Sequence, residues 1–268
     1  MSERTYGKEE RGMITGIDHI VIAALSLERA IETWRALGFS VVEGGRHPYG
    51  SYNALIGFAD GSYIELLGFY EESRDHVWWD LLHERGGGLI DFCMATDDIG
   101  ADHAAFRAQG VECSELTEGG RARPDGYEVK WINNKVEGSW QGLIPFIIGD
   151  VTPRAERLPR ETAHANGVTG IESLSLATGD VARVAGVMSA VTGTVGETIR
   201  DEELQAVGMR LTVGAHTLEY LAPAGGAGPL AAHLAGNRPV PYRVRFKTMG
   251  EAQRWGPAET EGVRVELV

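Results

Sequence analysis

Short apolar runs with a period of two alternate along the chain with apolar stripes at helical spacing, and the whole pattern recurs. Residues 15–24 (TGIDHIVIAA) return as 169–178 (TGIESLSLAT), more weakly as 88–96 (GLIDFCMAT) and faintly as 240–248 (VPYRVRFKT). Each run has strand length, and each is followed by a predicted helix. The first helix, 27–37, takes Ser26 as N-cap and stops at Gly38. Its counterparts are 98–109 before Gly110, 180–191 before Gly193, and a short piece at 249–255. Turn-rich stretches and further alternating strands follow. The closing strand repeats as 63–67 (YIELL), 217–221 (TLEYL) and 264–268 (RVELV), with 143–147 (LIPFI) in the second copy's slot.

Each unit therefore reads as strand, helix and two or three strands, which predicts an α+β fold of four βαβββ modules. The units start near residues 13, 87, 167 and 239, and the last is truncated by the end of the sequence at 268. One such unit leaves a sheet face bare, and pairing two units closes that face around a cavity. Two halves are expected, 13–150 and 166–268, with sheets mixed or antiparallel and helices outside. The charged segment 150–161, with two prolines, crosses between them. Alternation within the first strands assigns their faces. Ile20/Ile22, Phe92/Met94, Leu174/Leu176 and Val244/Phe246 form a bulky face for helices to cover. His19/Val21, Asp91/Cys93, Ser173/Ser175 and Arg243/Arg245 form a smaller, more polar face that lines the cavities.

Composition narrows the class. Twenty-five Lys and Arg against 38 Asp and Glu leave a net charge of −13, which argues against a nucleic-acid partner. Neither an apolar run of spanning length nor a signal-type segment occurs, and the polar residues 1–12 are expected to fray. Two cysteines, Cys93 and Cys113, are too few for a disulfide framework, so the expectation is a cytoplasmic chain with reduced thiols.

The motifs GIDHIVI (16–22), GGRHP (44–48) with NALI (53–56), YIELL (63–67) and LIPFI (143–147) together resemble the vicinal oxygen chelate superfamily, and within it the glyoxalase-like domain branch. The resemblance runs from about residue 12 to 268. It implies a divalent metal (Zn, Mn, Mg, Ni or Fe) held by the inward residue of a first strand and the Glu of a last strand, from two paired units. Carried over, His19 and Glu65 match, Asp91 takes the third place, and Pro145 stands where a fourth ligand is expected. The implied activity is of lyase or isomerase type on a carbonyl or vicinal-oxygen compound. Glu65 would move the proton, and Arg46, His47, Asn53, Trp140 and Phe146 would line the substrate. The alternative is a metal-free pocket that sequesters a small molecule, as bleomycin-resistance relatives do; a cofactor-free protein fits that reading. Extradiol dioxygenase chemistry is disfavoured, because Ser173 and Arg243 replace histidines in the second half. A small-molecule ligand is expected, no nucleic acid or membrane, and a homodimer is left open.

Bland readings stand beside these. His19 could be a satisfied core histidine, Asp91 a cap or a partner of Arg46, and GGRHP a plain turn. Trp78-Trp79 reads as a helix packing face, Cys93 as a small buried hydrophobe, and 86–88 (GGG) as a connector. Trp131, Trp140 and Phe146 suit core and ligand platform equally. Arg243 and Arg245 are expected to neutralise Glu219 and Glu266, which leaves the N-terminal cavity as the one with unmet polar groups.

Overall fold

In a computed structural model the described residues are 14–136, 142–236 and 241–268. Trp140, residues 1–12 and the start of the fourth repeat at 239–240 lie outside them. The first repeat forms β1 (Ile14–Ala23), α1 (Leu27–Ala36), β2 (Val42–Arg46), β3 (Ser51–Gly57) and β4 (Tyr63–Phe69). After the linking helix α2 (Val77–Arg85), the second forms β5 (Gly88–Thr96), α3 (Ile99–Ala108), β6 (Thr117–Ala122), β7 (Glu128–Lys135) and β8 (Phe146–Asp150). Helix α4 (Arg154–Arg157) sits in the crossing segment. The third repeat forms β9 (Val168–Ala177), α5 (Val181–Thr192), β10 (Glu197–Asp201), β11 (Ala206–Val213) and β12 (His216–Pro223). Helix α6 (Pro229–Gly236) leads to β13 (Pro241–Thr248), β14 (Gln253–Trp255) and β15 (Val265–Leu267).

The caps explain the helix limits. Ser26, Asp98 and Asp180 each accept a backbone N–H from three residues on, and Gly193 closes α5 in the left-handed region. The short helix expected at 249–255 does not form. Met249 is 86% exposed, and with no apolar stripe to bury, one turn of helix cannot offset its nucleation cost. Residues 253–255 instead pair with β15 as an edge strand.

In every unit the first strand lies parallel to the last, as β1–β4, β5–β8, β9–β12 and β13–β15. First strands pair antiparallel across each half, β1 with β5 and β9 with β13. Units one and two close into an eight-stranded barrel of order β1-β4-β3-β2-β6-β7-β8-β5. Units three and four make a seven-stranded open sheet, β10-β11-β12-β9-β13-β15-β14. The faces divide as alternation requires. Ile20, Ile22, Phe92, Met94, Leu174, Leu176, Val244 and Phe246 join α1, α3 and α5 in one apolar cluster that spans both halves. Val21, Ala23 and Cys93 pack with Trp78, Leu81, Leu82 and Phe146 in a separate cluster. No described helix is long and apolar enough to cross a membrane.

Candidate active site

A cavity of about 210 Å³ opens within the N-terminal barrel, lined among others by His19, His47, Asn53, Glu65, Arg121 and Trp131. One irregularity in β1 organises it. Pairing with β5 passes from Ile17↔Met94 to His19↔Cys93, so Asp18 is an extra residue in the strand. Strict alternation would send Asp18 to the apolar face of Ile20. The bulge lets it stand fully buried beside His19, with Oδ1 2.7 Å from His19 Nδ1.

Helix α4 supplies the counter-charge. Arg157, 3% exposed, donates Nη1 to Asp18 Oδ1 (2.8 Å), Nη2 to Asp18 Oδ2 (2.9 Å), Nε to Asp150 (2.7 Å) and Nη1 to the Tyr63 hydroxyl (2.9 Å). Arg154 also pairs with Asp18. Burial alone would raise the Asp18 carboxyl, but Arg157 and His19 hold it well below its usual value. Asp18 is therefore an acceptor, His19 carries its proton on Nδ1, and Nε2 points across the cavity. The His19 ring is fixed by stacking on Tyr63, centroids 4.6 Å apart.

Opposite it, Glu65 Oε2 lies 3.6 Å from His19 Nε2. Its other oxygen, Oε1, accepts from Asn53 Nδ2 at 2.6 Å and lies 3.7 Å from His47 Nε2. Asn53 Oδ1 accepts in turn from Arg121 Nη1 at 3.3 Å. Gly44 makes room for this relay: a Cβ there would fall 2.0 Å from Asn53 Oδ1 and 2.6 Å from Arg121 Nη1. Burial pushes the His47 imidazole down to about 4, against the pull of Glu65, and His76 likewise falls to about 4.

Several expected residues lie elsewhere. Asp91 is equivalent to His19 about a pseudo-dyad through Ile20↔Phe92, but it does not line the cavity. It accepts Trp78 Nε1–H (2.9 Å) and the Phe92 amide (2.9 Å), and burial raises it to about 6. The slot given to Pro145 belongs to Phe146, because Cys93↔Phe146 is the counterpart of Val21↔Glu65. Phe146 presents an aromatic wall, 5.5 Å from the His19 ring. Arg46 is exposed, with its guanidinium 4.8 Å from the Tyr70 ring, and it borders only an outer groove that shares His47 and Arg121 with the cavity. Neighbours on extended chain point opposite ways, so Arg46 and His47 cannot both face inward. Trp78, read as helix packing, also lines the cavity. Sequence reasoning missed Asp18, Arg121 and Arg157. A bulge leaves no local signal, and the two arginines look like surface charge until the barrel closes.

In the C-terminal half, Arg243 reaches Asp201 (2.8 Å) and Glu266 (3.5 Å), Arg245 reaches Glu266 (2.6 Å), and Arg210 reaches Glu219 (2.8 Å). These charges satisfy one another. His216 turns away to accept the Ile17 amide on Nδ1 (3.0 Å), tying the two halves.

The divalent metal that the family implies needs donors at four equivalent places. His19 and Glu65 are spaced for a shared cation, and Asp18 behind His19 is the carboxylate partner that metal-bound histidines use. The third place, Asp91, is occupied by Trp78 and the Phe92 amide, and the fourth is Phe146. Two protein donors fall short of the three that open catalytic sites use. Among the described residues the close donor trio is Asp18, His19 and Cys93. There Asp18 is engaged by arginines, and burial holds the Cys93 thiol well above its usual value. The residues at the family's four places do not fit its divalent metal; His47 Nε2, 3.7 Å from Glu65 Oε1, is a further nitrogen in the cavity outside those places.

A barrel closed by two βαβββ units around a polar cavity defines a member of the vicinal oxygen chelate superfamily. Residues 17–192 match the Glyoxalase-like domain, and the chain belongs to that family. The structure is similar to a hypothetical protein from Staphylococcus aureus, at 14% identity and TM-score 0.71, over 94% of this chain and 98% of that one. It is also similar to a mutant 4-hydroxymandelate synthase from Streptomyces coelicolor (12% identity, TM-score 0.59, 88% and 71% covered). A third likeness is to a xylose isomerase-like TIM barrel/4-hydroxyphenylpyruvate dioxygenase fusion protein, of which it covers 38% with 92% of its own length (13% identity, TM-score 0.56). At such identities these likenesses establish the fold. No curated protein matches the chain.

Proposed function

We propose that the barrel cavity moves protons on a small carbonyl compound, as an isomerase or lyase does, and uses Asp18, His19 and Glu65 without a metal. The observation that carries this reading is the opposition of His19 Nε2 and Glu65 Oε2 across 3.6 Å, with Asp18 holding Nδ1–H. The two groups face each other from neighbouring strands, so one can give a proton and the other take one at the same substrate. In the proposed reaction a substrate in the cavity lies against both groups. Glu65 takes the proton from the carbon next to the carbonyl, and imidazolium His19 gives its Nε2 proton to the carbonyl oxygen. An enediol or enol results, and reversal of the two transfers at either carbon returns both groups to their starting forms. Asp18 stabilises the imidazolium, and Asn53 holds Glu65 in place.

The test is deuterium exchange followed by NMR, with hydroxyacetone and three- to five-carbon 2-oxo acids in heavy water. Wild-type protein is expected to wash out the protons next to the carbonyl, and Glu65→Gln or His19→Gln to slow this by about 10²-fold or more. Exchange no faster than buffer across the panel would overturn the reading. The second reading, a metal-free binding module, is favoured by Phe146 and the engaged Asp91 in two ligand places. It predicts calorimetric binding without exchange.

A further inference from the structure

On β7, Trp131, Asn133 and Lys135 are spaced two apart and line the cavity together with Thr117, Gly119 and Arg121 from β6. Apart from the exposed Glu118, which also borders the cavity, the side chains of this wall can all donate. Trp131 and Gly119 face one another across the ladder. A Cβ on Gly119 would fall 2.2 Å from Trp131 Nε1 and 2.7 Å from Asn133 Nδ2. Only a glycine therefore lets both side chains pack against the β6 backbone here, with their N–H groups side by side on the wall. Among the described residues neither side chain meets a protein acceptor.

Two cations flank this pair. Arg121 is 6% exposed, forms no ion pair within 4.0 Å among the described residues, and leaves its Nε buried without an acceptor. It donates to Asn53 Oδ1 (3.3 Å) and the Arg157 carbonyl (2.7 Å), both neutral. Lys135 has an aromatic neighbour, its Nζ 6.0 Å from the Trp78 ring centroid, and makes no ion pair within 4.0 Å among the described residues, though its charge acts on buried Asp91. A buried guanidinium normally faces a carboxylate, because desolvation leaves its charge uncompensated. The cavity's own carboxylate, Glu65, is already held by Asn53.

We infer that the β6–β7 wall is a carboxylate subsite, and that the substrate is a small acid whose carboxylate lies on the cavity side of Trp131 and Asn133. Trp131 Nε1–H and Asn133 Nδ2–H would donate to its two oxygens, with Arg121 and Lys135 supplying opposite charge. This rests on the proton-transfer reading above and names its substrate class: 2-oxo monocarboxylates. The carbonyl would then point back toward His19 and Glu65.

Calorimetric titration of the full chain with pyruvate, 2-oxobutyrate, their methyl esters and inorganic phosphate tests this directly. At least one acid is expected to bind about tenfold or more tightly than its ester and than phosphate. Trp131→Phe, which keeps the ring and removes the donor, is expected to lower acid affinity about five- to tenfold and leave ester affinity unchanged. Lys135→Met should do the same, and as a mouth residue it keeps the test open if the Trp131 variant fails to fold. Equal affinity for acid and ester, equal losses for both in the variants, tighter binding of phosphate, or no binding by any acid would each overturn the subsite. Exchange measured on the same samples separates the two proposals. Exchange of ester and acid alike sinks the subsite and leaves the proton transfer standing. Variant-sensitive acid binding without exchange does the reverse.

Discussion

His47 shows how far burial alone sets the chemistry of a side chain. It is 3% exposed, its Nδ1 is 2.8 Å from the Ser51 hydroxyl, and desolvation lowers its imidazole from 6.5 to about 4. A base depressed in the folded state adds stability that is present above 6.5 and is lost as pH falls through 4. The shift is worth on the order of 3 kcal/mol. Asp91 runs the other way: its carboxyl rises from 3.8 to about 6, so its contribution is present below 3.8 and lost as pH rises through 6. Denaturant unfolding at stepped pH should show His47→Gln abolishing part of the wild-type fall between 6.5 and 4. A variant as acid-sensitive as wild type would mean that His47 is already charged in the fold. The sequence singled out His19, Glu65, His47 and Asn53 because strand register is a local property. It misplaced Arg46 for the same reason, since two adjacent residues were assigned to one face.

The crossing segment reads as a charged linker, yet within it α4 acts as a latch. Arg157 brings a guanidinium to Asp18 and Asp150, in the middle of β1 and at the end of β8, and so ties two barrel strands together. Removing one partner of a buried pair leaves the other charge uncompensated, so Arg157→Met is expected to cost about 3–5 kcal/mol. Asp18→Asn together with Arg157→Met should cost less than the sum of the single changes, because the double variant buries no orphan charge. Thermal or denaturant melts of the four proteins measure this, and strict additivity would show that the two residues do not act as a pair. At this scale the bulge at Asp18 and the shift from Pro145 to Phe146 were illegible. Both depend on which residue of the partner strand lies opposite, and that is decided by pairing rather than by the strand's own pattern.

The two halves share the same strand pairing, first strand parallel to last, and use their cavities differently. In the barrel, donors outnumber acceptors along one wall. In the open sheet, Arg210, Arg243 and Arg245 meet Glu219, Glu266 and Asp201 within the protein. Glu219→Gln is therefore expected to lower the melting temperature and leave acid binding by the barrel intact. His19→Ala is expected to abolish binding in the barrel. Binding lost only in the Glu219 variant would move the site to the C-terminal half.

What the sequence determined by itself is whatever repeats locally: a strand followed by a helix in the first three units, the caps that bound those helices, and the faces of the first strands. Hydrophobic periodicity encodes these because each face must be buried against something. The tertiary structure decided which charges meet. β2 and β6 touch through a single pair, Arg46↔Ala122, and that closure brings Arg121 to Asn53, 68 residues earlier. Arg157 reaches Asp18 across 139 residues. Such encounters carry no signature in a local pattern, because the energy that favours them appears only once the barrel has excluded water from both partners.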